Sequence, residues 1–146
     1  MDALRTLLKR DESYAIHAVI QIAENPGIST AEIAARLQLP PAFTAKVIRK
    51  LVQADLVESR MGRSGGLSLK VEVDRLSMLD IIEGVSGKLI LDTCQTKKQC
   101  ATQQRVGGCN LKLAWLATTL QIREVLSEVK MAQLCKGVKP VLSQAS

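Results

Sequence analysis

Apolar positions recur at helical spacing in five stretches of this chain and form short strand-like runs in one. From Asp11 to Glu24, Tyr14, Ala15, Ala18, Val19 and Ile22 make one apolar face, and Asn25-Pro26-Gly27 ends the helix. Ser29-Thr30-Ala31-Glu32 is a capping box, and Ile33 and Leu37 follow on the inner side of a second helix. Gln38-Leu39-Pro40-Pro41 stops that helix and starts the next. Pro40 pushes Leu39 out of the α region, and Pro41 suits a first helical turn. The third helix runs to about Ala54 with Phe43, Val47 and Leu51 inside, and Ala42, Lys46, Arg49 and Gln53 fall on its other side.

Two short runs, residues 56–60 and 67–71, then flank Met61-Gly62-Arg63-Ser64-Gly65-Gly66, which is rich in residues that tolerate positive φ. Ser77-Met78-Leu79-Asp80 is a further helix start, continued by Ile81, Ile82 and Val85 and stopped by Gly84 to Gly87. The longest helix is expected from about Asn110 to Val129. Leu111, Trp115, Thr118, Ile122, Val125 and Val129 form a heptad seam, and Leu113, Leu116 and Leu120 lie on the roughly opposite side. A helix with two apolar sides must be covered twice, and a second copy of the chain is the natural second cover.

This order predicts a mainly α fold with a small β-hairpin wing: a winged helix-turn-helix domain plus a long dimerisation helix. The expected organisation is a DNA-binding domain over residues 1–85, a cysteine-containing loop over 86–109, the dimerisation helix over 110–135 and a flexible tail over 136–146. Residues 1–10 read either as the frayed start of the first helix or as a basic arm carrying Arg5, Lys9 and Arg10.

Charge sharpens the picture. The net charge is +6, which favours an anionic partner. Residues 36–70 hold seven cations (Arg36, Lys46, Arg49, Lys50, Arg60, Arg63, Lys70) against Asp55 and Glu58, so the excess falls on the third helix and the hairpin. The small end of that helix's outer stripe suits approach to bases in a major groove, and its cations suit phosphate. With one Phe, one Trp and one Tyr, the chain lacks the aromatic platform on which single strands stack. No apolar run approaches the ~20 residues of a membrane span, and the first twelve residues lack the apolar core of a signal peptide. A cytoplasmic location with reduced thiols is expected. Catalysis is not: no Cys-x-x-Cys occurs, no glycine-rich phosphate loop follows a strand, and His17 is the only histidine.

Residues 92–109 show neither period and contain Cys94, Cys100 and Cys109, with five and then eight residues between them. Gly107-Gly108 frees the backbone before Cys109, and the nearby cations Lys97, Lys98 and Arg105 are expected to favour thiolates. Three such thiols suit an iron–sulfur cluster, zinc or reversible disulfide chemistry. His17, on the first helix, reads as a surface or packing residue or as a ligand.

The helix-turn-helix, the wing Arg-Met-Gly-Arg-Ser-Gly-Gly-Leu-Ser-Leu, the three-cysteine loop and the long helix together resemble the IscR/NsrR/RirA/CymR family of bacterial winged-helix transcription regulators over roughly residues 11–135. The resemblance implies that Thr30, Ala42, Ala45, Lys46, Arg49 and Lys50 face double-stranded DNA, a palindromic operator. It places Arg60, Arg63 and Ser64 in the wing contact and makes the long helix the homodimer interface. Cys94, Cys100 and Cys109 would hold a [2Fe-2S] or [4Fe-4S] cluster. This chain departs from the family in its longer second cysteine gap and in Lys112, which stands where one type has a histidine ligand. Another type takes a carboxylate from the start of the partner's first helix. Ser13 is equivalent here, beside Asp11 and Glu12, and His17 lies one turn on. The fourth ligand therefore stays open among His17, Glu12 and Asp11, or none. The expected function is a dimeric DNA-binding regulator, in the repressor sense, controlled by a cluster that senses iron, redox state or nitric oxide. The alternative is a cluster-free winged-helix regulator using zinc or thiol–disulfide chemistry.

Overall fold

A computed structural model describes residues 3–98, 100–102 and 108–135. In chain order it contains α1 (Arg10–Glu24), α2 (Thr30–Leu37), α3 (Pro41–Gln53), β1 (Val57–Arg60), β2 (Gly66–Leu69), α4 (Met78–Ser86) and the long helix α5 (Asn110–Glu128). Short 3-10 turns lie at Thr93–Gln95 and Met131–Gln133. Mainly helical structure with a small antiparallel hairpin is the architecture expected of these residues.

The local chemistry sets the boundaries. The Ser29 hydroxyl accepts the Glu32 N–H at 3.1 Å, and the Glu32 carboxylate accepts the Ser29 N–H at 3.3 Å. At the other end of α2, Gln38 takes the left-handed φ of 54°. Its N–H and that of Leu39 then reach the carbonyls of Ala35 and Ala34 at 3.2 and 2.9 Å. Pro41 opens α3 with its φ already helical. The helices of the pair are thus joined by Gln38, Leu39 and Pro40 alone, which holds α3 firmly against α2.

The core forms where α1, α3, α4 and the hairpin meet. Val19 and Ile22 pack with Ile33, Val47, Leu51, Val57, Leu67, Leu76, Ile81 and Ile82, all buried. Each such side chain contributes roughly 1.5–3 kcal/mol by leaving water. The wing is braced from below. Leu67 exchanges backbone hydrogen bonds with the segment before α2: Gly27 N–H to its carbonyl and its own N–H to the Ile28 carbonyl, both 2.9 Å. Gly66 sits at φ +124°, and a Cβ there would lie 2.0 Å from the Gly27 carbonyl oxygen, so this close approach requires glycine.

The long helix departs from the expected seam. The face it turns to its own domain passes through Lys112, Trp115, Thr119, Ile122 and Leu126, and only Thr119 on it is buried. Trp115, Ile122 and Val129 of the seam lie on or near this side. Leu111, Thr118 and Val125 point outward, as do Leu113, Leu116 and Leu120. The phase is set by what the helix rests on. The Arg123 guanidinium pairs with the Glu83 carboxylate of α4, and Thr119 meets the turn at Gln95. After the helix the chain returns to the core: Met131 is fully buried, and its N–H donates to the Leu76 carbonyl at 2.7 Å.

The cysteine segment has more local order than its missing period suggested. Asp92 caps the Thr93–Gln95 turn, and residues 101 and 102 are helical. Arg105, Gly107 and the expected tail after Cys135 lie outside the described residues.

Candidate functional site

Ala42, Lys46, Arg49 and Gln53 form an exposed stripe along α3, with Ala45 half-buried at its edge and no acidic residue on the helix. Thr30, the first residue of α2, is half-buried. Lys50 stands apart from the stripe. It turns toward α1, and its Nζ lies 2.6 Å from the Asp11 carboxylate, with both side chains largely covered. The Lys50 ammonium holds the Asp11 carboxyl below its ordinary value. Two residues carried over to different roles, one facing DNA and one facing metal, therefore engage each other. The start of α1 is fixed to α3 a second time. The Arg10 guanidinium sits 4.7 Å over the Phe43 ring, and Tyr14 meets that ring edge-on at 5.8 Å. Sequence reasoning missed this cluster, although Arg10, Tyr14 and Phe43 are helix residues whose facing could be counted.

On the wing, Arg60, Met61, Arg63 and Ser64 are exposed. Arg60 keeps a loose partner in Glu58, 3.1 Å away on the same strand.

The three loop cysteines and Cys135 are half-buried and unbridged. Cys94 is anchored through its own backbone and through the residue that follows it. Its N–H donates to Asp92 Oδ1 at 2.8 Å. The next residue, Gln95, accepts at Oε1 from the Leu91 N–H and the Thr119 hydroxyl, each at 2.9 Å. Asp92 also takes the Cys94 thiol as a hydrogen-bond donor. This pushes the thiol up from its ordinary value and the Asp92 carboxyl down. The expectation that neighbouring cations favour thiolate is corrected here, because Lys97 pulls the Cys94 thiol down less than Asp92 pushes it up. Cys109 caps the long helix, its Sγ accepting the Lys112 N–H at 3.4 Å. Lys112, no ligand while protonated, donates from Nζ to the Lys97 carbonyl at 3.3 Å and ties the helix start to the loop. Burial and the nearby Glu24 charge raise the Cys135 thiol.

The candidate fourth ligands are unequally free. Asp11 is paired with Lys50. Glu12 is 6% exposed and accepts the Lys9 N–H at 2.8 Å. His17 is exposed, tilted against Tyr14 at 5.8 Å, and lines a cleft of about 1170 Å³ together with Ser13, Leu7, Leu89, Leu91 and Ile122. Three thiols are suitable donors for a soft metal or cluster. Among the described residues, no group of three Cys, His, Asp or Glu side chains is placed to hold a metal. The donor types suit a cluster, and the single-chain arrangement does not gather them.

Among the described residues no helix is long and apolar enough to cross a membrane. The chain is 30% identical over 112 residues to the HTH-type transcriptional repressor NsrR of Streptomyces coelicolor, covering 77% of this chain and 68% of that protein. Its fold is that of CymR, the global cysteine regulator of B. subtilis, with TM-score 0.66, 21% identity and coverage of 89% of this chain and 96% of that one. The T. potens IscR structure gives TM-score 0.67 at 24% identity, covering 88% and 85% of the two chains. Residues 8–137 match the Rrf2 family, described as iron-dependent transcriptional regulators, and the chain belongs to that family of winged-helix DNA-binding regulators, not to an enzyme class.

Proposed function

We propose that two copies of this chain, joined along their long helices, bind a two-fold symmetric double-stranded operator as a repressor, and that Cys94, Cys100 and Cys109 control the binding. The observation that carries the reading is the pairing of a bare cationic stripe on α3 with a bare apolar stripe on the long helix. Leu113 and Leu120 are 63% and 66% exposed, and Leu111, Leu116 and Val125 extend the surface. Water-exposed leucines in this number favour a self-complementary helix contact. Such a contact would set two α3 helices at the spacing of successive major grooves, roughly 34 Å.

An iron–sulfur cluster is the occupant proposed for the thiols, supported by the three-cysteine donor set and the family's description. When bound, it would supply sensitivity to oxidants, iron supply or nitric oxide. The residues' own part is clear without it. Asp92 accepts hydrogen bonds from the Cys94 N–H and thiol, Gln95 and Thr119 hold its turn against the long helix, and Cys109 caps that helix. A fourth ligand, if one is used, is His17 of a second copy, because Asp11 and Glu12 are already engaged. The longer gap between Cys100 and Cys109, and Lys112 in place of a histidine ligand, favour the second reading, a regulator that uses zinc or thiol–disulfide exchange. Anaerobic purification followed by visible absorption, iron and acid-labile sulfide analysis separates the two. Operator affinity is then compared before and after air or nitric oxide. A brown protein whose binding changes with bleaching supports the cluster. A colourless zinc-loaded or metal-free protein with the same operator response supports the alternative.

A further inference from the structure

Glu83 is a junction of three segments. It stands on α4, and its carboxylate accepts the Leu89 N–H at 2.6 Å, at the start of the chain that leads to Cys94. The same oxygen takes the Arg123 guanidinium of α5, and both side chains are largely covered. Asp80, the other carboxylate of α4, is engaged by the Ser77 N–H at 2.9 Å, so Glu83 is the acid that α4 offers to α5. The two helices are joined a second time where α4 begins and α5 ends. The Met78 N–H donates to the Val129 carbonyl at 2.9 Å, Ser77 bridges to Lys130, and Met131 is fully buried just beyond. That joint is a pivot of backbone held over the core. One point of attachment leaves a helix free to swing, and a second fixes its direction. Arg123 lies six residues from the pivot at Val129, about 9 Å along the axis, and Leu113 lies sixteen residues from it, about 24 Å. One ångström of play at Arg123 therefore becomes nearly ~3 Å at Leu113, close to the roughly 3.4 Å rise of one base pair.

We infer that Glu83 and Arg123 are positioning residues that fix the distance between the two half-sites the protein accepts. This rests on the two-copy reading proposed above. When two copies join along α5, the angle between α5 and α4 sets how far apart the two heads stand. That angle reaches α3 through a tight contact. Gly84, next to Glu83, lies so close to the end of α3 that an added Cβ would be 3.0 Å from the Ala54 Cβ and 3.1 Å from Leu56. Close-packed elements of this kind move together. Neither Glu83 nor Arg123 lies on α3 or the hairpin, so their part is in the spacing of two sites and not in the reading of either one.

The test first selects paired half-sites from randomised duplexes with the full-length wild-type protein. Affinity is then measured on duplexes whose spacer is lengthened or shortened by single base pairs, for wild type, R123Q, E83Q and the charge-keeping R123K. Wild type and R123K should favour one spacing and lose about ten-fold in affinity for each base pair added or removed. R123Q and E83Q should bind the same half-site sequence at an unchanged salt slope, but hold neighbouring spacings within about two-fold of the best one. Sedimentation and far-ultraviolet spectra are recorded beside each titration, and where one of these two variants fails to fold the other decides. Folded, dimeric R123Q and E83Q proteins with the wild-type spacing profile overturn the inference while leaving two-copy DNA binding intact. Loss of the fold or of the dimer in both variants overturns it too, by making the pair a structural tie. A wild-type protein that enriches no paired half-sites overturns the two-copy reading together with the inference.

Discussion

The Lys50 ammonium and the Asp11 carboxylate, 2.6 Å apart, join the recognition helix to the first turn of α1 across 39 residues of sequence. Because the pair depresses the Asp11 value, its stabilisation is fully present above the ordinary carboxylate range, near ~3.9, and is lost as pH falls below that range. Asp11→Asn should lower stability by about 0.5–1 kcal/mol at pH 7 and flatten this part of the acid limb. Thermal melts of both proteins from neutral pH down to pH 3 measure it. Parallel curves for the two would show that the pair contributes nothing.

The same geometry divides the cations of α3 by role. Lys46→Ala and Arg49→Ala should each weaken operator binding and reduce the salt slope by about one. Lys50→Ala should leave the slope unchanged and reduce stability instead. Fluorescence anisotropy titrations at several salt concentrations, beside melts, distinguish these outcomes; a lowered slope for Lys50→Ala would put its ammonium on phosphate.

Thr119 is 4% exposed, and its hydroxyl bonds to Gln95 in the turn that holds Cys94. Thr119→Val keeps the shape and removes the hydrogen bond, at a cost of about 1 kcal/mol. Hydrogen exchange at Leu91 and Asp92 should accelerate about five-fold, while exchange in the α1 core stays unchanged. Equal protection in the variant would mean that packing alone seats the turn.

Leu116→Glu with Leu120→Glu places two charges on the bare side of the long helix. Sedimentation should show a monomer with the wild-type far-ultraviolet spectrum, and operator affinity should fall at least ten-fold as the second half-site is lost. A dimer that survives both charges would place the contact elsewhere.

Much of this fold could be read from residues whose effects are local. Ser29 with Glu32, Ser77 with Asp80, and Pro41 each announce a helix start by bonds or dihedrals within one turn. All three starts fall where those residues put them. The exposed stripe of α3 followed from spacing alone. What spacing could not carry was rotation about a helix axis. The heptad count on the long helix treated Leu111 and Trp115 as one seam, but contacts to Glu83 and Gln95, distant in sequence, set which of them faces inward. Lys50 misled for the same reason: its place on α3 fits either side of the stripe, and Asp11 decides. Asp92 reversed the expected effect of the cations on Cys94, because a hydrogen bond at contact distance outweighs charges further off.

After the long helix Met131 drops into the core, the Val129 carbonyl accepting the Met78 N–H at 2.9 Å and the Leu76 carbonyl the Met131 N–H at 2.7 Å across that junction. From Thr119 onward the helix is therefore a structural part of the head that carries α3 and the hairpin, while the stretch from Cys109 to Thr118, tied to the cysteine loop through Lys112, extends from it like a handle. A torque applied at the handle has no slack joint in which to dissipate. A change near Cys109 is therefore expected to act on the placement of the head as a unit rather than on its internal packing.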